Sequence, residues 1–389
     1  MGAFVLAGID VLLHERFDLV QGRRVGLVTS ASGVTRDLTS TTDALWRHPD
    51  VSLVALFGPE HGVMASAADA AAVPSLTDPR TGLPVYSLYG ATWKPTAEML
   101  RSLDLLLFDI QDVGARFYTY IWTLSYVMEA TGEAGIPLIV LDRPNPIGGV
   151  VREGPVLDPD YASFVGRWPI PVRHGLTTGE LASLWNDEGN LGVELTVVPC
   201  IGWYRNMWWD ETGLVWVPPS PAMPSLLTAT LYPGTCLLEG TNLSEGRGTA
   251  LPFQLAGAVW VDAHRLANAL NSLGLPGVRF RPVHFTPTSS KWAGQLCQGV
   301  QIHVTDRDAL RPLSVGLHLL RTVRDLWPES FAWRPNTTPG RPPFFDLLIG
   351  NGWVRPALDQ GVPVEEIVSR WRADLEEFEM RCKPHLLYV

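Results

Sequence analysis

The amino-acid sequence predicts an α/β fold, a Rossmann-like parallel sheet domain with a second, smaller α+β C-terminal domain. Three observations carry that expectation. Apolar runs with the unbroken character of strands covered on both faces recur in the first part of the chain. Each run stops at a polar tip carrying glycine, and helical segments separate the runs, the order expected of parallel strands joined by crossover helices. Beyond about Gly257 the tips disappear and helices and strands follow a more ordinary composition.

Taken in order, Arg24 to Ser30 is the first strand, ending at Ser30-Ala31-Ser32-Gly33, and Thr41 to His48 is helical. Ser52 to Gly62, SLVALFGPEHG, is the second strand with its tip, where Gly58, Pro59 and Gly62 preset a tight backbone around Glu60 and His61. A loop rich in alanine and proline leads to a helix over Lys94 to Leu103, with Pro95 in its first turn. Asp104 to Ile110 is the third strand, its tip running from Gln111 to Tyr120, and the helix Ile121 to Glu133 closes at Gly135. Ile136 to Leu141 is the fourth, ending in the segment Asp142 to Gly149. A solvated turn would account for any single tip. Charged, glycine-rich sequence at every strand end points instead to the ligand position of open α/β sheets, outside the carboxyl ends of the strands.

The segment from His174 starts a helix capped by Thr177 or Thr178 with Glu180 in its first turn, and Glu194 to Pro199 is a further strand. Trp203, Tyr204, Trp208, Trp209 and Trp216 then crowd together; such rings stack on sugars, but core packing is their commoner use. Pro218 to Pro224 is a rigid connection. Tyr232 to Phe253 reads as a long polar loop holding Glu239, Asn242, Ser244, Glu245 and Arg247 among glycines, either a ligand site or an ion-paired structural loop in which Arg247 neutralises Glu239 or Glu245. Later come a helix over Asp262 to Leu273, strands over Val278 to Phe285 and Gly299 to Thr305, a helix over Leu313 to Leu326 and an amphipathic helix over Val364 to Arg381. The expected division is a catalytic domain over 1–235, an active-site loop over 236–256 and a smaller domain over 257–389 that completes the cleft.

At 389 residues, with a formal net charge of −10, the chain buries a large core and offers no broad basic surface for nucleic acid. Cys200, Cys236, Cys297 and Cys382 lie far apart and fit neither a disulfide framework nor a zinc knuckle. Reduced thiols and a start without a basic n-region lead to a cytoplasmic expectation, or a secreted one if the start has been trimmed. No stretch predicts a membrane span. The dinucleotide fingerprint, the P-loop and the HExxH helix are all missing, so no cofactor and no metal is expected.

Carboxylates are abundant at the tips: Glu60, Asp109, Asp112, Asp142, Glu239 and Glu245. Glycoside hydrolysis commonly uses two of them across one bond. Glu60, at a buried strand end between Pro59 and His61, is the candidate acid. Arg116, Arg143 and Arg247 fall inside the tip motifs, where an acidic protein would place cations for a carboxylate or phosphate ligand.

GPEHG at 58–62, DIQDVGARFYTY at 109–120, LDRPNPIGG at 141–149, PPSPAMP at 218–224, YPGTCLLEGTNLSEGRGT at 232–249 and CQGVQIHVTD at 297–306 resemble the exo-β-N-acetylmuramidase family called NamZ, formerly a domain of unknown function. The resemblance runs along nearly the whole chain. It implies a glycoside hydrolase releasing N-acetylmuramic acid from the non-reducing end of peptidoglycan fragments, with the glutamate of GPEHG, Glu60, as general acid/base. The second group is open between Glu239, Glu245, Asp112 and the substrate's own 2-acetamido group. His61, Asp112, Arg116, Tyr118, Asn145, Asn242 and Arg247 are the expected substrate-binding residues. The alternatives are a metal-dependent hydrolase using His61, Asp109 and Asp112, and a sugar-acid binding protein without turnover.

Overall fold

The computed structural model describes residues 4–67, 71–336 and 338–389; part of the alanine-rich loop and the first residues of the N-terminal stretch lie outside them. Its strands are β1 (Arg24–Thr29), β2 (Ser52–Gly58), β3 (Leu76–Thr77), β4 (Pro84–Ser87), β5 (Leu105–Asp109), β6 (Leu138–Leu141), β7 (Glu153–Val156), β8 (Pro171–Arg173), β9 (Leu195–Val198), β10 (Leu255–Ala258), β11 (Val278–Phe285) and β12 (Cys297–Val304).

The main sheet has the order β3-β4-β2-β1-β5-β6-β9, parallel throughout except for the β3–β4 pair. Its strands are apolar on both faces because both faces are covered. Val25, Leu27, Leu105 and Leu107 point to one core with Ile9 and Leu12 of the helix Gly8–Glu15. Val28, Leu106 and Phe108 point to the other, with Ile121, Leu124 and Val127 of the helix Tyr120–Ala134. Chain order reverses at β1, which pairs with β2 on one side and β5 on the other. The tips of β2 and β5 therefore rise on either side of this switch point, where the crevice of such sheets opens.

The smaller sheet is antiparallel, β10-β12-β11, backed by the helix Ala263–Ser272, against which the helix Pro312–Leu326 packs in turn. Three expectations change. The helix over Lys94 to Leu103 contracts to Ala97–Leu100, capped by the Thr96 hydroxyl. The polar segment from Tyr232 is not loop from its start: the helix Leu226–Thr235 runs through Pro233 and continues as a 3-10 turn over Cys236–Gly240. The final helix divides at the buried Trp371 into Val364–Arg370 and Arg372–Cys382. Among the described residues no helix is long and apolar enough to cross a membrane.

Candidate active site

The tips of β2 and β5 and the segment after Gly240 share one cleft of about 1540 Å³. On its first wall, β2 ends in a turn in which Gly62 N donates to Pro59 O at 2.9 Å. His61 and Gly62 both take left-handed backbone, φ 69° and 76°. For histidine that conformation costs about 1–2 kcal/mol, the kind of local strain that accumulates at functional sites. The His61 ring is fixed by Nδ1 against the Ala67 carbonyl at 2.7 Å. The turn presents Glu60, only 8% exposed, to the cleft. Thr119 Oγ1 donates to Glu60 Oε2 at 2.7 Å, fixing one carboxylate oxygen.

The same cleft is lined by four charges of alternating sign. Arg247 donates from Nε (3.0 Å) and Nη2 (2.8 Å) to Glu239 Oε1, and its Nε lies 3.6 Å from Glu245 Oε1. Lys291 Nζ lies 2.9 Å from Glu245 Oε2 and also donates to the carbonyls of Leu238 and Thr241. Burial pushes the Glu239 carboxyl above the ordinary range; Arg247 opposes that shift and Glu245 adds to it. Glu245 is the more enclosed of the two, its side chain 1% exposed against 19% for Glu239. Both readings of this segment hold at once, since it is ion-paired and it lines the cleft.

Aromatic rings form much of the remaining surface. Tyr118 packs edge-on against Tyr120 at 4.9 Å and Tyr232 at 5.9 Å, and burial drives its hydroxyl pKa well up. Trp93 stands with Tyr126 and Phe164, and Arg167 lies 3.7 Å over the Tyr126 ring while bound to Glu129. The tryptophan-dense segment contributes none of this: Trp203, Trp208 and Trp209 are buried elsewhere, as core.

Of the residues expected in the site, Glu60, His61, Tyr118, Glu239, Asn242, Glu245 and Arg247 line the cleft. Asn242 spends its amide on the scaffold, donating to Ser330 O and accepting from Ala332 N. Three others do not line it. Arg116 is fully buried and donates to the carbonyls of Pro155, Ile170 and Leu348 at 2.8, 2.8 and 3.0 Å, and burial lowers its pKa to about 9. Asp112 accepts from Gly114 N at 2.7 Å and lies 3.3 Å from the buried His174. Asn145 ties Leu176 O to Ile147 N. All three hold tips in shape, because a strand end that converges on a crevice must satisfy its own buried polar groups first. The Arg143 guanidinium likewise closes on Asp109, at 2.6 and 2.9 Å. That pairing also takes Asp109 away from His61 and Asp112, and among the described residues no group of three His, Cys, Asp or Glu side chains is placed to hold a metal ion.

Sequence reasoning passed over Thr119, although it sits inside a noted tip, and also Trp93, Arg167, Arg334 and Arg341. The arginines at 334 and 341 had a visible signal: two cations in a proline-rich stretch, WRPNTTPGRPP, of an acidic chain.

Comparison with known proteins agrees with this geometry. Residues 25–227 match the N-terminal family model of exo-β-N-acetylmuramidase NamZ and residues 230–388 match its C-terminal model. The peptidoglycan β-N-acetylmuramidase NamZ of Bacillus subtilis (strain 168) is 51% identical over 384 residues, covering 99% of this chain and 91% of the relative. Two crystal structures of DUF1343 family proteins from Bacteroides fragilis NCTC 9343 superpose with TM-scores of 0.90 and 0.76, at 41% and 32% identity, each covering 99% of both chains. A two-domain α/β chain with the GPEHG glutamate in its cleft, matched from end to end by both halves of one family, belongs to the NamZ family of exo-β-N-acetylmuramidases.

Proposed function

We propose that this chain is an exo-acting glycoside hydrolase that releases N-acetylmuramic acid from the non-reducing end of peptidoglycan fragments, with Glu60 as its general acid/base. The observation that supports the catalytic reading is a positioned, nearly buried Glu60 lining the same cleft as the charge-balanced Glu239–Arg247–Glu245–Lys291 cluster.

In this reading Glu60 passes its proton to the glycosidic oxygen as the bond from that oxygen to the anomeric carbon breaks, and the aglycone leaves as an alcohol. Positive charge then develops at the anomeric carbon and ring oxygen. Glu239, the more accessible carboxylate of the charged cluster, stabilises that charge, while Arg247 holds its Oε1 in place. A water attacks the anomeric carbon to complete hydrolysis, and Glu60 takes the proton that this water loses. Trp93, Tyr118 and Tyr126 supply apolar lining for the sugar. All four cysteines are free and buried, which suits a reducing compartment and supports a cytoplasmic place of action on imported fragments.

The test is release of N-acetylmuramic acid from the disaccharide MurNAc-β-1,4-GlcNAc, followed by mass spectrometry with chelator present. Wild type should cleave, and Glu60→Gln should lose about 10²–10⁴-fold in kcat, the usual worth of a positioned proton donor. Full turnover by that variant would remove Glu60 from the mechanism.

A further inference from the structure

A muramic acid residue differs from its glucosamine counterpart by a lactyl ether ending in a carboxylate, so a selective site needs a cation to read it. The cations first expected to do so are already satisfied by the protein. Arg116 is bound to three carbonyls, Arg143 to Asp109, Arg247 to Glu239, and Lys291 to Glu245. Arg167 on the aromatic wall is bound to Glu129. Two arginines lining the same cleft differ from all of these. Arg334 and Arg341 are exposed, and among the described residues no carboxylate lies within ion-pair distance of either.

Arg334 is also held in position. Its backbone N donates to Gly240 O at 2.8 Å, Thr241 bridges Trp333, and Asn242 N donates to Ala332 O at 3.0 Å. The Asn242 side chain adds bonds to Ser330 and Ala332. The segment is thereby stitched to the strand of chain that continues into Glu245 and Arg247. The Arg334 guanidinium rests over the Phe344 ring at 4.9 Å, which orients its plane while leaving its N–H groups open. The cleft of about 1540 Å³ exceeds the roughly 300–1,000 Å³ usual for small-ligand pockets, so a sugar ring at Glu60 leaves room for a substituent reaching this wall.

We infer that Arg334, with Arg341 beside it, is the reader of the lactyl carboxylate and sets the preference of this site for muramic acid over glucosamine. The inference rests on the glycosidase reading above and names a specificity determinant within it. A guanidinium free of internal partners loses none when it closes on the carboxylate, and its fork matches that group bidentately.

The experiment compares the 4-nitrophenyl glycosides of N-acetylmuramic acid, of its lactyl amide and of N-acetylglucosamine, for wild type, Arg334→Ala, Arg341→Ala, the double variant and Arg334→Lys. Wild type should prefer the acid to the amide by about 10- to 100-fold in kcat/KM, the worth of a charge-assisted bond. In the double variant that ratio should fall towards one, chiefly through KM, and Arg334→Lys should recover part of it. A double variant that keeps the wild-type ratio overturns the inference. A muramic acid whose lactyl group carries a dipeptide in amide linkage separates the two carboxylate sources. If the variants lose preference for that compound alone, the arginines read a peptide terminus and the lactyl assignment falls. Should wild type cleave no glycoside, calorimetric binding of free N-acetylmuramic acid against N-acetylglucosamine decides the matter. Discrimination lost in the double variant upholds the reader while the glycosidase reading fails, and discrimination retained overturns both.

Discussion

At Thr119 the hydroxyl stands between two roles, accepting a capping bond or donating to a carboxylate. It stands at the N-cap of the helix Tyr120–Ala134, yet makes no capping bond there and donates instead to Glu60. The helix gives up one cap so that a carboxylate oxygen is fixed. Thr119→Val should therefore lower kcat/KM on the disaccharide by about 10- to 100-fold through the mispositioned carboxylate, with a stability loss of at most about 1.5–3 kcal/mol from the lost bond. Steady-state kinetics beside a thermal melt would separate the two effects. Glu60 was legible in the sequence because its surroundings are local: an apolar run, a proline and two glycines fix where it stands. Arg116 was not. Its position at a strand end was read correctly, but the carbonyls that hold it belong to residues as far away as Leu348, and no local pattern records them.

Elements show the same division between local and distant causes. Alternation of apolar runs and helices made β1, β2, β5, β6 and β9 readable, whereas the short β3 and β4, inside the stretch read as an alanine- and proline-rich loop, left no such pattern. The helix Leu226–Thr235 was mistaken for loop because Pro233 and Gly234 look like breakers. Gly234 is there for contact instead. A Cβ on it would stand 1.8 Å from Pro312 O, and one on Gly316 opposite would stand 2.3 Å from Gly234 O, so the two helices meet backbone to backbone. Gly234→Ala should cost about 3 kcal/mol, the upper end of overpacking costs, because the obstacle is backbone. Gly135, by contrast, ends its helix at φ 63° with nothing within 4 Å of an added Cβ, so Gly135→Ala should cost only about 1–2 kcal/mol of backbone strain. Urea titrations of both variants would check the order, and a smaller loss at Gly234 than at Gly135 would contradict it.

Across the whole molecule, the segment after Trp371 returns to residues between Asp142 and Cys200. The helix Arg372–Cys382 packs on β7, Arg381 pairs with Glu188, and Leu387 N donates to Glu180. Tyr388 then donates to Asp142 at 2.6 Å and accepts from Cys200 N at 2.9 Å. Burial raises the Asp142 carboxyl to about 6, with the Tyr388 hydroxyl working against the shift. A folded-state value above the ordinary one means that the stability linked to Asp142 is full below about pH 4 and is lost as pH rises through about 6. Tyr388→Phe removes a donor to the ionised form, so it should destabilise the protein more at pH 7 than at pH 4, by about 1–3 kcal/mol at the higher pH. Denaturant melts at the two pH values would test this, and equal losses would show that only the Cys200 bond matters. The same tail has a meaning for the chain as it is made. Tyr388 meets a partner 246 residues earlier, and at about 5–20 residues per second a ribosome needs roughly 10–50 s to deliver it. Throughout that interval Asp142 is without its Tyr388 donor, so the bond that most favours its ionised form arrives long after the carboxylate itself has been made.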